Sequence, residues 1–197
     1  MSEIAIDARP ASPLGGPPLP SADGVARLVE AEASARLVLR AGSEAAGRIG
    51  ATLGLDLTSR INRAARSESC SALRLGPDEW LLIADAEADP WLAARIREAA
   101  ADLAVSVVDV SHRHAGLVLD GPAVEAVLAA GCPLPLDAAV FPMERATRTL
   151  FAKAEIVLWR RGPDRFHIEV ARSFAPYVAA LLAEVIANER ALGVPLR

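Results

Sequence analysis

The sequence predicts an α+β fold made of two copies of a β-α-β-β-α unit, and three observations carry that expectation. From residue 35 onward, strand-like apolar runs alternate with helix-like ones. Gly-Pro-Asp occurs at 76–78 and again at 162–164, each time with an aromatic two residues past the Asp, Trp80 or Phe166. Further anchors follow in the same order in both halves: Ala35–Ala41 with Ala115–Gly121, Leu55-Asp56-Leu57 with Leu134-Pro135-Leu136, and Asp89-Pro90-Trp91 with Ala175-Pro176-Tyr177. Such a unit covers one face of a sheet with helices, so two units predict two sheets or half-sheets.

Residues 1–34 read as a flexible Pro/Gly-rich arm, because 8–24 bury too little to offset ordering entropy. Residues 35–197 read as one domain, with pseudo-repeats at about 35–110 and 111–192. "ARLVLRA" (35–41) is a strand, and 43–54 a helix with Ser43 as its N-cap. "SALRL" (71–75) and "EWLLIA" (79–84) are strands split by the Gly-Pro-Asp turn. Alternation then sets Trp80, Leu82 and Ala84 against one face, and Glu79, Leu81 and Ile83 against the other. A helix opens at Asp89-Pro90 and runs to 103; "VSVVDV" (105–110) is a buried-looking strand. In the second half, 115–121 is a strand and 122–131 a helix opened by Pro122 and closed by Gly131. Strands at 148–154, 155–161 and 165–171 follow, and a helix at 173–192 capped by Ser173 closes the chain.

Composition narrows the function classes. With 21 basic and 25 acidic residues the net charge is −4, which argues against a nucleic-acid binder. The basic residues are Arg except for Lys153. Cys70 and Cys132 are too few for a disulfide framework or thiolate metal site, and fit a reducing cytoplasmic setting as inert packing residues. The first residues lack the basic start and apolar core of a secretory signal, and 174–187, interrupted by Glu184, is too short to span a bilayer.

Candidate chemistry is sparse. Asp78-Glu79 beside Trp80 resembles a carboxylate pair, but the second copy replaces Glu79 with Arg165 and keeps the turn, so the motif reads as a structural corner. On a strand His112 and His114 would share a face, half of a metal site, but no further ligand lies at a suitable spacing and His167 would have to join from another strand. The pair therefore reads as a strand-end cluster or an interface polar patch, with no metal expected. Ser111 beside His112 is mere adjacency, and there is no G-x-S-x-G, P-loop or G-x-G-x-x-G. Arg60, Arg63 and Arg66 form a basic run suited to an anion, a partner's acids or solvent. The chain therefore reads as one that supports a site held elsewhere.

Several motifs together resemble a known family. "LGPDEWLLIA", "VVDVSHRH", "GCPLPL", Phe141-Pro142, "TLFAKAEIVLWRR" and "RSFAPYV", spread over about Leu53–Leu182, are similar to the gamma subunit of heterotetrameric sarcosine oxidase. More distantly, 109–112 ("DVSH"), Gly121-Pro122 and the late hairpin resemble the folate-binding aminomethyltransferase of glycine cleavage. Arg113-His114 stand where that family has Met-Gly. Its acidic pair falls at Ala154-Glu155, which leaves Glu155 as the folate candidate, and its Asn-Ala element falls at Ala171-Arg172-Ser173.

The resemblance implies a complex that demethylates sarcosine to glycine, passing electrons through FAD and FMN to oxygen. The products are hydrogen peroxide and either formaldehyde or methylenetetrahydrofolate. It implies partner subunits alpha and beta holding flavins, NAD and tetrahydrofolate, a delta subunit holding zinc, and a gamma subunit without cofactor or active site that serves assembly. The equivalent subunit of an N-methylglutamate dehydrogenase-like complex, and a stand-alone folate-binding protein, are the alternatives. Trp80, Trp91, Arg113 and Trp159 are the interface candidates, with core packing the alternative for the aromatics.

Overall fold

Every strand among the described residues pairs antiparallel, and these strands divide between two sheets whose order repeats. The computed structural model describes residues 12–15, 19, 21–22, 24–86 and 89–192. In chain order the elements are β1 (Ser21–Ala22), β2 (Ala26–Glu30), β3 (Ser34–Ala41), α1 (Ser43–Leu53), β4 (Ala64–Arg66), β5 (Cys70–Arg74), β6 (Glu79–Asp85), α2 (Asp89–Ala100) and β7 (Val105–Asp109). There follow β8 (His114–Asp120), α3 (Val124–Ala129), β9 (Ala146–Phe151), β10 (Ala154–Gly162), β11 (Arg165–Ala171) and α4 (Ala175–Leu192).

One sheet runs β4-β5-β6-β3-β7 and the other β9-β10-β11-β8-β2-β1. Aligned this way, β3, β4, β5 and β6 match β8, β9, β10 and β11, and the registers agree. Trp80 lies opposite Leu39 as Phe166 lies opposite Leu119, and Leu82 opposite Leu37 as Ile168 opposite Leu117. The last strand of each sheet departs from simple duplication. β7 follows α2 and pairs with β3, but the chain ends its described part in α4, and the equivalent place beside β8 is filled by β2.

That substitution corrects the reading of a flexible arm over Ala26–Glu30; residues 1–11 of the expected arm lie outside the described residues. Ala26 and Leu28 alternate with exposed Arg27 and are buried, Leu28 completely, because "ARLVE" has the two-residue period of a half-buried strand. Leu14 and Leu19 also pack on this sheet's core.

Strand alternation gives each sheet two apolar faces. Leu37, Leu39, Trp80 and Leu82 pack under α1 and α2 with Ile49, Leu92 and Ile96. Leu117, Leu119, Phe166 and Ile168 pack under α3 and α4 with Val127, Val178 and Leu182. The opposite faces meet in a third cluster containing Leu73, Leu81, Val157 and Trp159. The layers are therefore α/β/β/α, with helices outside and the sheets back to back.

Local details refine other expectations. Ser43 is the first residue of α1 rather than its cap; Gly42 takes the cap position without a side-chain bond, and Gly54 ends the helix at φ 67°. The first helical carbonyl of α4 belongs to Phe174, which accepts from Val178 N–H at 3.0 Å, so Ser173 lies outside. α2 stops at Ala100, ahead of Ala101 with its φ of 52°, and α3 is shorter than 122–131. β7 is an edge strand with Val108 51% exposed, not a buried one. Residues 148–161 form a hairpin, β9 and β10, turning at Ala152.

Candidate functional site

The two halves join through a reciprocal junction that the sequence also encodes. Asn62 and Glu144 both sit at positive φ, 65° and 61°, just before β4 and β9. Asn62 N–H donates to Arg74 O at 2.8 Å, and Glu144 N–H to Arg160 O at 2.9 Å. Ala64 N–H donates across to Glu144 O at 2.8 Å while Ala146 N–H donates back to Asn62 O at 3.1 Å, around an antiparallel bridge between Arg63 and Arg145. The hexapeptides "INRAAR" (61–66) and "MERATR" (143–148) are the signal for this junction. Ile61 and Met143 open them and are both about half exposed, with Val140 similarly exposed.

Each Gly-Pro-Asp corner is held by an arginine that the motif reading missed. Arg74 reaches Pro77 O at 2.7 Å and Thr58 O at 3.1 Å, with its guanidinium carbon 5.1 Å from the Trp80 ring centre. Arg160 bonds Pro163 O, Leu136 O at 2.8 Å and Phe141 O at 3.1 Å, and lies 5.0 Å from the Phe166 ring. Carbonyls of the preceding connection would otherwise be left without donors. Arg-x-Gly-Pro-Asp-x-aromatic, present twice, was the available sequence signal.

A buried charge group ties the two sheets together. Glu169 on β11 is 1% exposed and accepts from Arg36 Nε of β3 at 2.6 Å and from His167 Nε2 at 2.7 Å. Burial pushes the Glu169 carboxyl up, but the His167 bond and the Arg36 charge outweigh it and hold the group at about 2. Gly116 leaves the room: a Cβ there would meet Ala31 Cβ and Arg36 Nη2 at 2.8 Å and Glu169 Oε1 at 3.0 Å. A cavity of about 530 Å³ adjoins this group, bordered by Arg36, Ser111, His112, His114 and Arg172, with Ser12 and Pro13 at its edge.

Ser111, His112 and His114 do not come together as one catalytic or metal-binding group. Ser111 Oγ accepts from Arg36 N–H at 2.9 Å, and Ser111 N–H donates to Asp109 Oδ1 at 2.7 Å, which makes Ser111 a turn residue. His112 lies exposed in the turn before β8 and His114 on the strand itself, so they do not share a strand face as expected. No group of three metal-ligating side chains occurs among the described residues. Burial lowers the His114 pKa, and Arg113 and Arg36 lower it further against the opposing Glu169 charge. Cys70 is buried with its thiol pushed up to about 11 by burial and by Asp85; Cys132 is buried beside Thr149.

Two interface candidates are corrected by burial. Trp80 and Trp159 are each 1% exposed and belong to the cores, Trp80 under α1 and α2 and Trp159 between the sheets, where its indole N–H donates to Glu144 Oε2 at 2.9 Å. A strand tryptophan buries roughly 200 Å², worth about 5 kcal/mol, so the interior holds it. Trp91 is 41% exposed with Arg95 over its ring, and Tyr177, its counterpart on α4, is 40% exposed. Arg113 is exposed. Glu155 is exposed on β10 next to buried Ala154, so the two do not face the same environment. Among the described residues, no helix is long and apolar enough to cross a membrane.

A doubly layered α/β/β/α arrangement with this strand order defines a class of fold. It is shared with the glycine cleavage system aminomethyltransferase T from Bartonella henselae at a TM-score of 0.64 and 18% identity, over 85% of this chain and 47% of that one. A narrower match covers residues 40–188, which fit the model of the sarcosine oxidase, gamma subunit family. The chain belongs to that family. It is 31% identical over 171 residues to sarcosine oxidase subunit gamma from Corynebacterium sp. (strain P-1), covering 85% of this chain and 83% of that one. It is 33% identical over 128 residues to the Arthrobacter sp. subunit, covering 64% and 62%. Among solved structures, heterotetrameric sarcosine oxidase from Corynebacterium sp. U-96, in complex with pyrrole 2-carboxylate, matches at a TM-score of 0.78 and 29% identity. That match covers 86% of this chain and 88% of the other.

Proposed function

We propose that this chain is a non-catalytic assembly subunit of a heterotetrameric sarcosine oxidase, the counterpart of the gamma subunit, working in the cytoplasm with alpha, beta and delta partners. The observation that carries the reading is the match to a chain of such a complex over 88% of that chain's length. The chemistry within the chain agrees with a supporting role. Of the buried charged side chains, His167 and Arg36 both bond Glu169, Arg36 from the other sheet, and Arg160 is spent on carbonyls of its own half. FAD, FMN, NAD, tetrahydrofolate and zinc belong, on this reading, to the partner subunits. Trp91 and Arg113 are the exposed members of the docking surface.

The test is recovery of the tagged chain from its native host. Flavin-containing partners and sarcosine-dependent peroxide formation are expected in the recovered complex. Trp91→Ala should reduce partner recovery while leaving the unfolding free energy of the chain within about 0.5 kcal/mol. Recovery of the chain alone, with tight tetrahydrofolate binding lost in Glu155→Gln, would refute the assembly role. A co-purifying flavoprotein active only on another N-methyl amino acid would reassign the substrate.

A further inference from the structure

A second cleft opens between the sheets on the side of the β4–β5 turn, with a volume of about 450 Å³. One wall carries Arg161, Arg165 and His167 from the β10–β11 hairpin, and the other carries Arg66 and Ser71. The three guanidiniums make no short ion pair among the described residues. Arg66 reaches partly buried Glu144 only at 3.6 Å, and exposed Arg165 reaches exposed Asp120 only at 3.9 Å. Arg161 is half-buried, 4.8 Å from the Trp159 ring centre, and has no hydrogen-bond or ion-pair partner among the described residues. Burial and then the charges of Arg66 and Arg165 disfavour its charged form, with Glu144 opposing. His167 is 4% exposed, and with its Nε2 committed to Glu169, its Nδ1 has no hydrogen-bond partner among the described residues.

We propose that this cleft is a binding site for a small, compact oxyanion, with Arg161 as its principal donor and Arg66 and Arg165 as supporting charges. A half-buried guanidinium with all its N–H groups unused is matched by two oxygens of a carboxylate or phosphate. An imidazole whose Nδ1 has no other partner can donate to the same group when protonated, or accept an acid's O–H when neutral. Glu30, Glu32, Glu68 and Asp85 also border the cleft, and their charges oppose extended polyanions, so the ligand is a small one. The inference rests on this chain's own side chains and stands whichever complex the chain enters.

Inorganic phosphate and acetate serve as the two probes, titrated by calorimetry at constant ionic strength into the full chain and into the complex recovered with it. One saturable site for either probe is expected, weakened at least tenfold by Arg161→Gln and less by Arg165→Gln, and saturation should raise the unfolding temperature by mass action. Preference for phosphate or for acetate identifies the ligand's acid group. Unfolding without the probe checks that each variant is folded. Failure of both probes to saturate, or unchanged affinity in folded Arg161→Gln, would overturn the proposal. So would binding by the free chain that vanishes in the complex, since the cleft would then be filled by a partner.

Discussion

Replacing Glu169 by Gln tests the tie between the sheets most directly. The carboxylate accepts from two buried donors, Arg36 Nε at 2.6 Å and His167 Nε2 at 2.7 Å, and the side chains of Arg36 and Glu169 are 6% and 0% exposed. An amide offers one acceptor and one donor at the same place, so one of the two donors is left facing an N–H. Removing one partner of a buried pair destabilises by about 3–5 kcal/mol, much of it from the charge left uncompensated. Urea unfolding of the full chain at neutral pH should show a loss of that size for Glu169→Gln. The double variant Arg36→Met with Glu169→Gln should recover a large part, because Gln then needs to accept only from His167.

The pH dependence gives an independent check. The Glu169 carboxyl has an ordinary value of 4.5 and is held at about 2 when folded, so its contribution is complete above 4.5 and lost as pH falls toward 2. Glu169→Gln should lack that component of acid destabilisation. A loss below about 1 kcal/mol, or a double variant no better than the single one, would refute the tie as described.

Other expectations follow from the same contacts. Arg160→Met should destabilise by about 3 kcal/mol or more in urea unfolding, since carbonyls of Leu136, Phe141 and Pro163 lose their donor; Arg74→Met, on the more exposed copy, should lose less. Gly116→Val should lower stability by about 1–3 kcal/mol through overpacking against Ala31 and Arg36, measurable as a shift in urea midpoint without a change in slope. His114 has a folded pKa below its ordinary 6.5, so the unfolded chain binds its proton first and stability falls as pH drops below 6.5. His114→Gln should remove that decline, visible in unfolding temperatures between pH 7 and about 5.

The duplicated unit was legible because apolar strand-like runs and the same turn signals recur in one order in both halves. Leu37 and Leu39 of β3 and Leu117 and Leu119 of β8 are buried as their alternation requires. Gly-Pro-Asp was legible because a fixed proline φ and a turn-forming aspartate act locally. The caps lie one residue from Ser43 and Ser173, at Gly42 and Phe174, since several neighbouring residues satisfy the same local rule and packing chooses among them. The junction at 61–66 and 143–148 was written in the sequence twice, but β4 is only three residues long, too short to show a period. The candidate site was less legible still. Arg36 lies far along the chain from Glu169, and the two-residue spacing of His167 and Glu169 does not by itself show that both bond with Arg36 in one buried group.

The sequence by itself determined the α+β class, the repeat and the family, because periodicity, turn chemistry and motif order are properties of neighbouring residues. Only the tertiary structure decided that β2 takes the place β7 holds in the other sheet, that Trp80 and Trp159 are core and Trp91 is surface, and that the Arg161 guanidinium has no hydrogen-bond or ion-pair partner among the described residues. Those outcomes depend on which faces the two sheets turn toward each other, and that choice is made by burial across the whole chain.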